Sequence, residues 1–145
     1  MEESADGVSI ALIREGIGDN LRTLPGLRVA ETIPDSFSPP IAILSLSSVQ
    51  YNGAFNTKSV QGLTTYNFTV SVIVGKVAER VAQSRLDSYI STGTATIKAA
   101  VESDRTLGGA AFDCVVSEMT NVGAVLLSGD VSYLAADFTV TVYAN

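Results

Sequence analysis

Between Thr64 and Val74 the chain reads TTYNFTVSVIV, an alternation of polar and apolar residues with a period of two. Tyr66, Phe68, Val70, Val72 and Val74 share one face of an extended strand, and Thr65, Asn67, Thr69, Ser71 and Ile73 share the other. β-Branched and aromatic residues at this spacing are the strongest strand signal in the chain. Ser132–Tyr143 repeats it, with Ala136, Phe138, Val140 and Val142 on one side and Asp137, Thr139, Thr141 and Tyr143 on the other. A sheet with the first strand near its centre needs a cover for its apolar face, and amphipathic helices elsewhere in the chain supply one.

A first helix is expected from about Val8 to Leu24, capped by Asp6 or Ser4. Ile10, Ile13, Ile17, Leu21 and Leu24 stand three and four apart and form its apolar stripe. Gly16 and Gly18 weaken it by about 1 kcal/mol each relative to Ala, so they mark either close packing against the sheet or a tolerated cost. Pro25–Gly26 ends the helix. Leu27, Val29 and Ile33 suggest a short strand. Ile33–Pro40, IPDSFSPP, is an extended surface loop, because proline has no amide to donate. Phe37 in its middle either plugs a core edge or meets a partner. Ile41–Leu46 reads as a strand. Residues 47–63 are polar and glycine-containing, carry Tyr51 and Phe55, and include the hairpin signal Asn52–Gly53. This is an arm: either an ordinary hairpin or a loop that orders against a neighbouring subunit.

After the central strand, a second helix from about Val77 to Ser91 turns Ala78, Val81, Ala82, Leu86, Tyr89 and Ile90 inward. Thr94 is expected to cap a third, ending near Ser103, with Ile97, Ala100 and Val101 facing in. Arg105–Gly109 is a turn, and Ala111–Glu118 a strand with Phe112, Cys114 and Val116 on one face. Asp113 and Glu118, at odd spacing, are expected on opposite faces. Thr120–Gly123 turns, Val125–Leu127 is briefly extended, and the last strand closes the chain. The expected fold class is α+β: a mixed, mostly antiparallel sheet with helices packed on one face. A single domain spans residues 1–145, with an acidic tail at 1–6 and the arm at about 47–63.

Composition narrows the function classes. With 46% hydrophobic residues, the chain of 145 residues is apolar enough to bury a real core. No apolar run approaches the ~20 residues that span a bilayer. The head MEESADG lacks a basic region and is not read as a secretory signal, so the expected compartment is the cytoplasm or an assembly built there. Fifteen acidic against nine basic residues give a formal charge of −6. That argues against clamping duplex DNA, but it suits a surface past which DNA slides.

The candidate chemistry is sparse. There is no histidine, which removes imidazole base catalysis and histidine metal ligation. The single cysteine, Cys114, cannot form an intrachain disulfide. Its place on an apolar strand face reads as a buried small hydrophobe rather than a reactive thiol. Gly108–Gly109 is followed by alanines, not by the lysine of a phosphate loop. Carboxylates are scattered singly, without the clustering a metal site needs. No catalytic, cofactor or metal residue is assigned, and the chain is not read as an enzyme. The positive feature is a second face on both long strands built of Ser, Thr and Asn, which suits water or another subunit.

Several segments in order resemble the tail terminator (tail completion) proteins of long-tailed bacteriophages, especially those infecting actinobacteria. They are LPGLRVAETIPDSFSPPIAIL (Leu24–Leu44), VIVGKVAERVAQSRLDSYIS (Val72–Ser91), GTATIKAAVESDRTLGG (Gly93–Gly109) and the closing FTVTVYAN. The likeness runs from about Val8 to the end and is carried by order and spacing, not by a catalytic signature. It implies helices on a sheet and a homo-oligomeric ring, typically hexameric, seated on the last ring of major tail tube protein. Such a ring stops tube polymerisation, presents a surface to head-completion or neck proteins, and lets genomic DNA pass without specific binding. The implied location is the tail–neck junction of the virion, with no membrane partner and no cofactor. Candidate interface residues are Phe37, Tyr51, Phe55, Arg80, Arg85 and Asp87; for the last three the plain alternative is a solvated helix face. The rival readings are another neck or tail component, such as a head–tail connector or tube subunit, and a small cytoplasmic ligand-binding domain.

Overall fold

The computed structural model describes residues 10–32, 34–35, 38–51, 64–77, 80–128 and 131–144. Among these residues three α-helices lie on one face of a five-stranded sheet ordered β1-β2-β3-β5-β4. The strands are β1 (Arg28–Ala30), β2 (Ile41–Tyr51), β3 (Thr64–Lys76), β4 (Asp113–Ser128) and β5 (Val131–Ala144). β1 runs parallel to β2, and every other neighbouring pair is antiparallel. The fold is therefore α+β with a mixed, mostly antiparallel sheet, and the TTYNFTVSVIV strand is its central member.

The alternation in β3 and β5 works as the pattern requires. Phe68, Val70, Val72, Val74, Val140 and Val142 have no exposed surface and meet the helices. Their cross-strand pairing, Phe68↔Val140 and Val70↔Phe138, stacks apolar side chains directly opposite one another. Helix α1 (Ile10–Leu21) buries Ile13, Ile17 and Leu21 completely. Burying each of these side chains contributes about 1.5–3 kcal/mol. Residues 1–9, with both proposed caps, lie outside the described residues, as do Ala78 and Ile33.

Gly16 is where α1 meets another element most closely. A Cβ there would stand 2.6 Å from the Leu107 Cβ, below any ordinary contact. The close approach is to the 3-10 turn Leu107–Gly109 rather than to the sheet. Asn20, one turn further on, is buried, and its side-chain amide donates to the Val101 carbonyl at 2.8 Å and the Asp104 carbonyl at 2.9 Å. One polar side chain thus ties α1 to the end of α3 and satisfies two helix-end carbonyls.

Four boundaries differ from those expected. β2 runs on to Tyr51, so the first part of the expected arm is strand; residues 52–63, with Phe55, lie outside the described residues. α2 spans Ala82–Ile90 rather than starting near Val77, and Val81 remains exposed. α3 is Ile97–Val101, capped by Thr96 rather than Thr94: the Thr96 hydroxyl accepts from the Ala99 amide at 3.2 Å. β4 does not stop at Glu118. It continues through the expected turn at Thr120–Gly123, where the register slips and Asn121 and Gly123 take positive φ. A bulge bends a strand without ending it, and here it hides the strand from a search for strict alternation.

Candidate interaction surface

The face of the sheet opposite the helices carries the polar sides of β2, β3, β5 and β4. Register places their residues in rows. Gln50, Thr65, Tyr143 and Asp113 form one; Ser48, Asn67, Thr141 and Val115 the next; Ser45, Thr69, Thr139 and Glu118 the third; Ile43, Ser71, Asp137 and Thr120 the fourth. Asp113 and Glu118 share this face, contrary to the expectation from their spacing. The bulge between Val116 and Glu118 adds a residue and restores the phase, pairing them with Tyr143 and Thr139.

The side chains within these rows bond to one another. Asn67 Nδ2 donates to Ser48 Oγ at 3.0 Å, and its Oδ1 accepts from Thr141 Oγ1 at 3.2 Å. Asp137 accepts from Ser71 Oγ at 2.8 Å and from Asn121 Nδ2 at 2.9 Å. The hydroxyls of Ser47 and Thr69 are also bonded. Short polar chains linked across strands make a surface that has already satisfied many of its own hydrogen bonds. At one end the rows give way to an apolar corner of Ile41, Ile73 and Ala135, each about 5% exposed, against Ala30, Ile43 and Tyr133.

The two edges of the sheet are unlike. On one side β1 covers only Ile41–Ile43 of β2, and beyond that point no strand among the described residues pairs with the edge of β2 that faces away from β3. The open stretch Ser45–Tyr51 contains no charged residue, which leaves it without the usual protection of an edge. On the other side β4 is the edge, and carboxylates occupy two amides near its start. Val116 N donates to Glu102 Oε2 at 2.8 Å, and Cys114 N donates to Asp113 Oδ1 at 2.9 Å. Each carboxylate is held by a cation. Lys98 Nζ lies 2.7 Å from Glu102 Oε2, and Arg105 forks onto Asp113 at 2.7 and 2.9 Å.

These contacts move the acids. Burial works against the Glu102 charge, but the Lys98 hydrogen bond and the Val116 amide outweigh it and hold the carboxyl below its usual range. Asp113 is lowered by Arg105 first and the Cys114 amide second. Asp104 is lowered by the Thr106 hydroxyl and by the amides of Gly108 and Thr106. Between these groups Cys114 is fully buried and its thiol is pushed up to about 12, mainly by burial and further by Glu102 and Asp113. It is an inert packing residue.

Of the six residues singled out in the sequence, the four that are described fall on two separate surfaces. Phe37 and Phe55 lie outside the described residues. Tyr51 ends β2 opposite Thr64 and is 77% exposed. Arg85 sits at the other end of β3, where its Nη1 donates to the Val74 carbonyl at 3.1 Å and anchors α2. Asp87 accepts from Gln83 Nε2 at 2.9 Å along the exposed side of α2, and Arg80 precedes the helix on the surface. Tyr51 therefore belongs to the open edge of β2, while the α2 residues belong to a separate surface. Phe112, expected on the buried face, is 57% exposed just before β4. Sequence reasoning missed Glu102, whose role depends on an amide 14 residues further along.

A groove of about 340 Å³ runs between α1 and the Leu107–Gly109 turn, with Glu15 and Asp19 on its wall. Asp19 is already paired with Arg22 at 2.9 Å. Among the described residues no group of three or more Cys, Asp or Glu is placed to hold a metal ion, and no helix is long and apolar enough to cross a membrane. In comparison with known proteins, the chain matches no family model and no curated protein sequence.

Proposed function

We propose that this chain is a structural protein of a long-tailed phage virion that forms a ring at the head-proximal end of the tail tube. The ring stops tube polymerisation and offers a docking surface to the neck. The observation that carries the reading is the sheet face opposite the helices. Its hydroxyl, amide and carboxylate groups are tied into rows across β2, β3, β5 and β4. A broad, pre-ordered polar surface flanked by strand edges suits the docking of protein subunits. A small substrate is better held by a concave apolar pocket with converging polar groups. The order of segments that resembles tail terminator proteins gives this surface its partners: copies of the chain, the tube protein and a neck protein. A formal charge of −6 favours a lumen through which DNA passes without sticking.

The reading is tested by sizing the purified chain alone and then with purified tube protein from the same phage. A terminator adds one ring to a tube end and tube length stops increasing. Unlimited stacking of the chain on itself contradicts the reading and identifies a tube subunit instead.

A further inference from the structure

The two unlike edges of the sheet fit one another. β2, β3, β5 and β4 alternate in direction, so β2 and β4 run opposite ways. A second copy placed beside the first in the same orientation therefore brings its β4 antiparallel to β2. The register also agrees: the open stretch Ser45–Gln50 of β2 is level, row by row, with Glu118–Asp113 of β4. No stagger is needed, and an unstaggered head-to-tail contact between identical subunits closes into a ring if its rotation closes.

Charge on the helical side of the sheet agrees as well. Arg14 stands one turn before Gly18, on the side of α1 that faces Glu31 just past the end of β1. That places it beside the open part of β2. Among the described residues its Nε is buried and has no hydrogen-bond partner. On the opposite edge, in the same layer, stands Glu102, which caps the Val116 amide.

We propose that the β2 edge at Ser45–Gln50 and the β4 edge at Asp113–Glu118 are the two halves of a head-to-tail contact between copies of this chain. Glu102 on the Val116 amide and Asp113 on the Cys114 amide hold the β4 half closed in the free chain. When β2 of the next copy docks, its carbonyls take the β4 amides and Glu102 turns to that copy's Arg14. A main-chain amide thus exchanges one acceptor for another, and the buried Arg14 Nε gains a carboxylate. The cap keeps the β4 edge from pairing until β2 of the next copy docks. The contact stands on register and hydrogen bonding and does not depend on the tail reading.

The test uses cysteine pairs at one row. Ser48 and Val115 occupy the same row, so they become opposite neighbours across the contact, at a spacing a disulfide can bridge. A Ser48→Cys chain is mixed with a Val115→Cys chain under mild oxidation, with each variant alone and the parent chain, which carries the buried Cys114, as controls. The mixture is expected to give a cross-linked dimer several-fold above either variant alone. A chain carrying both changes is expected to give a ladder that ends at one closed species. Adding Arg14→Ala lowers the yield several-fold while the circular dichroism spectrum is unchanged. A mixture that cross-links no better than its parts overturns the proposal, and so does a dominant Ser48→Cys homodimer, which would mean β2 pairs with itself. If cross-linking fails while the chain still arrests tube growth, this contact is wrong and the tail reading survives; the reverse result separates them in the other direction.

Discussion

Gly16 and Leu107 pack so closely that a single added methyl has no room: the Cβ of residue 16 would stand 2.6 Å from Leu107 Cβ and 3.0 Å from its carbonyl oxygen. Helix propensity favours alanine over glycine by about 1 kcal/mol, but forcing a methyl into a packed contact costs about 1–3 kcal/mol. Leu107 itself has a φ of 53°, so its backbone has little freedom to retreat. Gly16→Ala is therefore expected to destabilise the fold, read as a lower midpoint in urea with unchanged slope. A gain in stability would show that the turn yields easily.

Asn20 is the polar counterpart of that contact. Asn20→Leu keeps much of the volume but leaves the carbonyls of Val101 and Asp104 without their donor. An unsatisfied buried group costs about 1–3 kcal/mol, so the melting temperature falls by several degrees. Asn20→Asp is expected to be worse at neutral pH, because a carboxylate then faces two carbonyl oxygens. Thermal unfolding followed by circular dichroism ranks the three chains.

Acid should weaken the fold through Glu102, Asp104 and Asp113, whose carboxyls all lie below their ordinary values. A lowered carboxyl stabilises the folded chain fully above the unfolded value, about 3.9 for Asp and 4.3 for Glu. That contribution is lost as pH falls through the lower, folded value. Stability on this account is nearly level from about pH 7 to 5 and declines below about pH 4. Asp113→Asn removes the partner of Arg105 and should flatten the acid limb of a denaturation series. An acid limb identical in the variant would show that this pair is not coupled to folding.

Cys114 provides a readout of the core. With its thiol pushed up to about 12 by burial and by the nearby acids, almost none is thiolate at pH 8. A chromogenic disulfide reagent is expected to react with it only in denaturant, at a rate that tracks unfolding. Fast reaction in the native chain would mean that the β4 edge opens on its own.

The legible parts of the fold are those where one interaction repeats. The strict alternation of β3 and β5 and the Ile13–Ile17–Leu21 stripe are each decided by burial against a single layer. β4 was only half visible because Ser117 and Asn121–Val122 interrupt its phase where the register slips. The tail of β2, SSVQY, carries too few apolar residues to announce a strand and is held by pairing with β3. Thr94 and Thr96 are equally good caps by composition, and the choice between them follows from where Ile97 must be buried. For the candidate surface, the polar faces of β3 and β5 could be read directly. The Glu102 cap and the matching levels of the β2 and β4 edges could not, since both depend on tertiary register.

The most direct test of the proposed tail role is electron microscopy of particles made when the phage proposed to encode this chain lacks it. The account predicts abnormally long or headless tails, repaired when the chain is supplied separately. Normal tails joined to heads in the absence of the chain would contradict it.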